Sequence, residues 1–381
     1  MTNVQAMRDP WLLTPGPLTT SASVKQAMLR DWGSRDAAFI ALTNEIRTQL
    51  TELVHASDTH VCVPVQGSGT FAIEATLGTL VPADGKALVL VNGAYGERML
   101  KILKYQGCEY DAIRWDENQP ISAEAVAKRL DADANITHVA VVHCETTSGI
   151  LNPLEPVAAL CAERGVSLII DAMSSFGALE LDARKLPFDA MVASSNKCLE
   201  GAPGVGFAIM RKSVLETCAG NAPSLSLDLY DQWQGFERNG QWRFTPPTHV
   251  LAALHQALRE HTEEGGVAGR GARYRNNMQV LLDGMAKLGF ETLLPRELQA
   301  PIIMTFHMPT DPAFDFDVFY DRLAALGYVI YPGKLTVADS FRIGCIGRMG
   351  EAEMRGALVA ISATLSDMQV RLTGAAAGQA A

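Results

Sequence analysis

The chain lacks any run of about 18 consecutive apolar residues, the length that spans a bilayer, so it reads as a soluble protein. Its first residues, MTNVQAMRDPWLLTPGP, hold no basic segment followed by an apolar one, and no cleaved leader is expected. Basic residues are in deficit: the net charge is -10, and charged residues make up only 19% of the chain. Nucleic acid or an anionic membrane would repel such a surface at long range, so an anionic ligand must meet a local cluster of donors. Cysteine is sparse and unpaired in pattern. Seven cysteines (62, 108, 144, 161, 198, 218 and 345) are an odd number with no C-x-x-C spacing, which suits neither a disulfide framework nor zinc and fits a reducing, cytoplasmic setting. There is no internal repeat.

What is present is core-forming material. With 381 residues and 48% hydrophobic content, the chain supports one large and one smaller domain. A helical stretch around 36 to 55 follows the Pro/Gly-rich TPGP. Short β-branched apolar runs then alternate with helical ones: THVCVPVQ (59 to 66), KALVLVN (86 to 92), ITHVAVVHC (136 to 144) and VSLIIDA (166 to 172). That alternation predicts an α/β fold with a mostly parallel sheet covered on both faces. FDAMVASS (188 to 195) and GVGFAIMR (204 to 211) have no long helix between them and are expected to pair antiparallel. Beyond about 270 the texture is α+β: strand PIIMTFHM, helix FDVFYDRLAALG, strands YVIYPG and SFRIGCIG, and helix AEMRGALVAISATL. The expected division is an N-terminal arm (1–20), a large domain (21–265), a small C-terminal domain (266–372) and a disordered tail (373–381) without apolar periodicity.

Three segments at strand ends carry chemistry. Gln66-Gly67-Ser68-Gly69-Thr70 follows a strand and opens a helix, so its backbone N–H groups suit a phosphate, with the Ser68 and Thr70 hydroxyls adding donors; a plain turn with an N-cap is the alternative. The same letters approximate the dinucleotide fingerprint G-x-G-x-x-A. The acid expected about 20 positions on is missing, however, because the next strand ends in Asn92. Asp171 closes the apolar strand LIID, where open α/β sheets bind ligands. Its carboxylate either pairs with a protonated pyridine nitrogen, caps the next helix or binds magnesium. Lys197, in Ser194-Ser195-Asn196-Lys197, is either a solvated surface group or an inward amine whose desolvation lowers its pKa and makes it a nucleophile and base. A phosphate cradle, an acid and a lysine at successive strand ends are together the three anchors that pyridoxal phosphate requires.

Other residues fit around these. Tyr95 in NGAYG either stacks on a ring or joins the core. Thr146, Thr147 and Ser148 are donors to a cofactor or turn residues. His143, Cys144 and Glu145 alternate faces and cannot all converge on one ion, so no metal site is expected. Arg342 is a charge inside the apolar strand SFRIG and must be paired or face a ligand; its fork suits a carboxylate or phosphonate. Arg35 either adds a second charge or pairs with Asp36 at the surface.

At these residues the chain resembles the class V, fold type I pyridoxal-phosphate enzymes, through LLTPGPLTTS, DWGSRD, QGSGTFAIEA, NGAYGER, HCETTSGILNP, DAMSSFGA, SSNKCLEGAPG, RFTPPTHV and FRIGCIG. The resemblance implies a seven-stranded large-domain sheet and a homodimer with active sites at the subunit interface. Lys197 would be the Schiff-base lysine, Asp171 would lie under the pyridinium, Tyr95 and Met173 would pack on the two ring faces, and Ser68, Gly69 and Thr70 would cradle the phosphate. It further implies that Asn196 assists, that Thr245 reaches the phosphate from the neighbouring subunit and that Arg342 takes the substrate's carboxylate; Arg342 is expected to serve a phosphonate as well, with Arg35 or Arg98 adding charge. Within the family, DWGSRD stands where alanine-glyoxylate-type members carry a histidine-containing segment, which favours members acting on a small aminophosphonate with pyruvate as acceptor. Alanine-glyoxylate or serine-pyruvate transamination is the nearest alternative. A lyase of the cysteine-desulfurase type is disfavoured, because Tyr95 stands at the ring position and Cys345 sits inside an apolar strand.

Overall fold

The computed structural model describes residues 9–333, 335 and 338–372; residues 1–8 of the expected arm and the expected tail, 373–381, lie outside them. The apolar runs form a seven-stranded sheet. Its strands are β1 His60–Gln66, β2 Lys86–Val91, β3 Glu109–Arg114, β4 Ile136–Val142, β5 Ser167–Asp171, β6 Ala190–Ser194 and β7 Val205–Arg211. Spatially they run β1-β7-β6-β5-β4-β2-β3. Only β7 is antiparallel to its neighbours, as the short connection after Lys197 predicts. The carboxyl ends of the six parallel strands therefore share one edge of the sheet, and β7 starts there.

Alternate residues of the central strands feed two cores. Leu88, Leu90, Val139, Val141, Leu168 and Ile170 pack with Phe39, Ile46, Leu254 and Leu258, whereas Val89, Val91, Ala140, Val142 and Ile169 pack with Ile73, Leu77, Met99 and Trp233. Burying one such Leu, Ile or Val contributes about 1.5–3 kcal/mol, so both faces must be covered and the strands read as unbroken apolar runs. The second core is closed by α1 (Gly69–Leu80) and α2 (Ala94–Gln106), which start at the shared edge directly after β1 and β2.

Three features differ from the sequence expectations. Strand β3 was not foreseen, because as an edge strand it pairs only with β2 and most of its residues are partly or fully exposed, so EYDAIR needs no apolar run. The segment 136 to 144 ends as a sheet strand at Val142, and Cys144–Glu145 turns back to pair with Ile150–Leu151. YVIYPG splits: Tyr328–Val329 pairs in parallel with Trp11–Leu12, while β9 (Tyr331–Pro332) joins a three-stranded antiparallel sheet with β8 (Ile303–His307) and β10 (Ser340–Gly344). Leu13 and Leu18 consequently belong to the C-terminal core with Phe306, Phe341 and Met354. Leu13 accepts from Gly344 N–H at 2.9 Å, and this anchorage holds Thr14–Pro17 over the edge of the main sheet. The long helix α3 (Gly266–Lys287) packs into the C-terminal core through Tyr274, Leu281, Leu282 and Met285. Among the described residues no helix is long and apolar enough to cross a membrane.

Candidate active site

A cavity of about 530 Å³ opens at the shared strand edge. Six of the seven strands contribute to its wall: Ser68, Gly69 and Thr70 after β1, Tyr95 and Arg98 after β2, Cys144 and Thr146 after β4, Asp171 and Met173 from β5, Asn196 and Lys197 after β6, and Gly204 before β7. The N-terminal Gly16 and Pro17 form the remaining side.

Asp171 is buried, and its Oδ1 accepts from the Met173 N–H at 2.9 Å. Burial, and then the nearby Glu145 carboxylate, push its pKa up to about 7 against the pull of that hydrogen bond, Lys197 and Arg98. Lys197 responds in the opposite sense, since loss of water around its ammonium lowers its pKa although Asp171 favours the charge. Its Nζ donates to the Pro15 carbonyl at 2.6 Å. A Cβ on Gly16 would lie 2.3 Å from Lys197 Cδ, and Gly16 holds φ +104°, so both the close approach and the backbone require glycine here.

Ser68 stands at the N-cap of α1. The first in-helix donors, Phe71 and Ala72, both reach Ser68 O, which leaves the N–H groups of Gly69 and Thr70 without helical acceptors. A Cβ on Gly69 would meet Met173 Sδ at 2.5 Å, so the Met173 side chain packs directly against this helix end in the cavity wall. Tyr95 lines the wall with the Arg98 guanidinium 4.8 Å from its ring centroid.

Some expected residues lie elsewhere. Thr147 does not face the cavity: it is fully buried, donates to Glu145 Oε1 at 2.6 Å and accepts from Ala94 N–H at 3.0 Å. The reason is the tight turn after Cys144–Glu145, which presents Thr146 to the cavity and folds Thr147 beneath it. Glu145 itself accepts from the Tyr95 N–H at 3.2 Å, so this buried acid serves the N-terminus of α2. His143 is bonded to Ser175 at 2.9 Å. Arg342 sits one layer behind the wall: Nη1 donates to the carbonyl of the wall residue Thr146 at 2.6 Å, and Nε and Nη2 donate to Pro332 O at 3.1 and 2.9 Å. Two of its five N–H groups thus have no partner among the described residues. Arg35 is exposed in the loop before helix Ala37–Glu52, and Thr245 is exposed before helix Thr248–Glu263, so one chain alone brings neither into the cavity.

Two contributions were not anticipated. The approach of Pro15 and Gly16 to Lys197 joins residues 182 apart in sequence, and a Pro-Gly-Pro run by itself announces only a turn. Glu200, three residues after Lys197, is 3% exposed and accepts from Tyr274 Oη at 2.6 Å and Arg273 Nη2 at 2.7 Å. An acid in a loop of small residues beside Lys197 was the available signal.

The match to known proteins agrees with this geometry. Residues 20–322 match the model of the aminotransferase class-V family. The chain is 54% identical to the 2-aminoethylphosphonate–pyruvate transaminase of Pseudomonas fluorescens, over 96% of this chain and 99% of that one. It is 55% identical to the transaminase of the same name from Cupriavidus necator, over 96% and 97%. Among solved structures, pyridoxamine-pyruvate aminotransferase from Mesorhizobium loti superposes with a TM-score of 0.88 at 25% identity, covering 96% of this chain and 94% of that one. Ureidoglycine-glyoxylate aminotransferase from Bacillus subtilis shares the fold at a TM-score of 0.88 and 23% identity, covering 97% and 96%. A lysine and an acid in the wall of one cavity at the strand ends fit a chain whose residues 20–322 match that family model and which matches these relatives over nearly its whole length: this protein is a member of the aminotransferase class-V family.

Proposed function

We propose that this protein moves the amino group of 2-aminoethylphosphonate to pyruvate, giving phosphonoacetaldehyde and L-alanine, with pyridoxal phosphate as cofactor. The observation that carries the substrate pair is the 54% and 55% identity, across nearly the whole chain, to transaminases of that name. The cofactor fits the donors present. Asp171 is a buried carboxylate bonded to one backbone N–H, and a protonated pyridine nitrogen supplies the missing cation. Ser68, Gly69 and Thr70 offer bare N–H groups and hydroxyls to a phosphate. Tyr95 and Met173 would hold the ring, and Asn196 the wall beside Lys197.

Pyridoxal phosphate, when bound, supplies an aldehyde that condenses with amines and a ring that takes up the electron pair of a C–H bond broken beside that nitrogen. The protein's residues do the rest. Burial lowers the pKa of Lys197, which enlarges the share of free amine able to bond to the aldehyde. Once the substrate amine has taken its place, the same Nζ removes the proton from the carbon bearing nitrogen and returns it one step along the conjugated system. Asp171 keeps the ring nitrogen protonated throughout. Water would cleave the C=N bond that results, freeing phosphonoacetaldehyde and leaving the amino group behind; pyruvate would run the sequence backwards through the same two side chains, and the carbon–phosphorus bond stays intact.

The two substrates present their acid groups differently, because pyruvate's carboxylate is on the reacting carbon and the phosphonate is one carbon further out. Arg342, bonded to the wall residue Thr146 and with two N–H groups that have no partner among the described residues, serves both in this reading. Arg342→Lys keeps the charge but loses the fork, and kcat/KM should fall by about 10- to 100-fold for both half-reactions. An unchanged pyruvate half-reaction would remove Arg342 from that role.

The acting unit in this reading is a homodimer. Phe71, beside Thr70, and Phe244, beside Thr245, are 51% and 44% exposed, apolar side chains that a second copy would cover. Seven unpaired thiols suit a reducing cytoplasm. The experiment is to add 2-aminoethylphosphonate without keto acid and follow the visible absorbance of the lysine-bound cofactor. Loss of that band, restored by pyruvate but not by glyoxylate, is expected. Conversion by L-alanine or L-serine but not by the phosphonate would assign the chain to alanine-glyoxylate or serine-pyruvate transamination instead.

A further inference from the structure

Arg98 is a cation in the cavity wall that forms no ion pair among the described residues: its side chain bonds to the Thr70 hydroxyl at 3.1 Å and rests on the Tyr95 ring. The adjacent acid, Glu97, is engaged by Arg114 at 2.7 Å on the outer face of α2. Tyr95 and Arg98 are three residues apart on one helix face, so the ring carries the guanidinium and fixes its direction.

The direction matters because of what Thr70 is. A hydroxyl has one proton and two acceptor sites, and Thr70 Oγ1 accepts from Arg98, which leaves its proton to be donated elsewhere and polarises the O–H. Thr70 lies in the first turn of α1, where the N–H groups of Gly69 and Thr70 have no helical acceptors. Neutral donors satisfy the lone pairs of an anion but not its net charge. A phosphate monoester carries about 1.5 to 2 negative charges at neutral pH, and a helix N-terminus offers only about half a positive one. The other cationic residue in the wall, Lys197, becomes uncharged when it is free to react.

We propose that Arg98 is the counter-charge for the cofactor's phosphate, acting through its guanidinium and through the Thr70 hydroxyl, and that it is not a receptor for the substrate's phosphonate. The inference rests on pyridoxal phosphate being the cofactor and is independent of which amino donor the enzyme uses.

Full-length protein, dialysed free of cofactor, is titrated with pyridoxal phosphate and separately with pyridoxal, which has the aldehyde and ring but no phosphate. The readout is the absorbance of the lysine-bound aldehyde. Arg98→Gln should weaken pyridoxal phosphate by about 10- to 100-fold and leave pyridoxal within about twofold, while Arg98→Lys recovers part of the loss because it keeps the charge. Equal weakening of both aldehydes would mean that Arg98 only supports the wall, and the proposal fails. Unchanged pyridoxal phosphate affinity with a raised KM for 2-aminoethylphosphonate would move Arg98 to the substrate and also overturn it. If the unaltered protein binds neither aldehyde through Lys197, the cofactor reading falls and the proposal with it.

Discussion

Lys197→Ala is expected to fold, to bind pyridoxal phosphate without the visible band of a lysine-bound aldehyde, and to turn over at least about 10⁴-fold more slowly. The size follows from two losses that fall on one atom. Proton transfer by a positioned base is worth about 10²–10⁴ in rate, and the same amine also delivers the aldehyde already bonded and oriented. A small added amine such as methylamine should restore part of the rate, because it replaces the lost base but not its placement. Folding is expected to survive, since the side chain lies along Gly16 and its removal opens space rather than closing it. The variant also carries a pH signature. In the cofactor-free protein burial lowers the lysine's pKa, so between that lowered value and the ordinary lysine value the unfolded chain binds a proton that the folded chain does not. Stability must then rise with pH across that window, and Lys197→Ala should lose the dependence. A variant that keeps the visible band, or keeps more than about a hundredth of the rate, would place the chemistry on another residue.

The sequence reaches far toward this site, and its limits have a physical pattern. Asp171, Lys197 and the turn through Thr70 were legible because a parallel strand announces itself as an apolar run and ligands gather where such runs end. Each of those inferences needs only local information. What was not legible depends on pairing at a distance or on one degree of side-chain direction. Strand β3 reads as polar because only one of its edges is paired. Thr146 and Thr147 are indistinguishable as letters, yet the turn after Glu145 sends one to the cavity and the other to the Glu145 carboxylate. Arg342 was recognisable as a charge inside an apolar strand, but its placement one layer back, bonded through the Thr146 carbonyl, depends on how β10 meets the turn after β4.

The same long-range logic makes Arg270→Met the substitution expected to cost the most stability. Arg270 is fully buried on α3; its Nε donates to Glu264 at 2.6 Å and its Nη1 to the carbonyl of Cys198, the residue after Lys197. Arg273, one turn on, donates to Glu200 at 2.7 Å, to Glu264 at 2.6 Å and to Met349 O at 2.9 Å. Two arginines and two glutamates thus close a charge-balanced group that ties the turn after Lys197 to the C-terminal core. Glu200 takes a left-handed φ of 61° in that turn, a conformation held by its carboxylate's bonds to Arg273 and Tyr274. Methionine fills much of the arginine's volume, so what is lost is charge: Arg273 then faces two carboxylates alone, the buried Glu200 and the half-buried Glu264. Breaking one member of such a group costs about 3–5 kcal/mol, a fall in Tm of roughly 10 °C. Neutralising Glu264 as well, in Arg270→Met/Glu264→Gln, should recover a substantial part of it, because the penalty comes from the uncompensated charge rather than from the missing bonds. Glu200 Oε2 and Arg270 Nη2 already lack hydrogen-bond partners among the described residues, which leaves the native group short of ideal and favours that recovery. Thermal melts of the holoenzyme decide the matter. A single variant as stable as the parent would show that the carboxylates are solvated once Arg270 is gone, and a double variant no better than the single one would assign the loss to the Cys198 carbonyl contact instead of to charge.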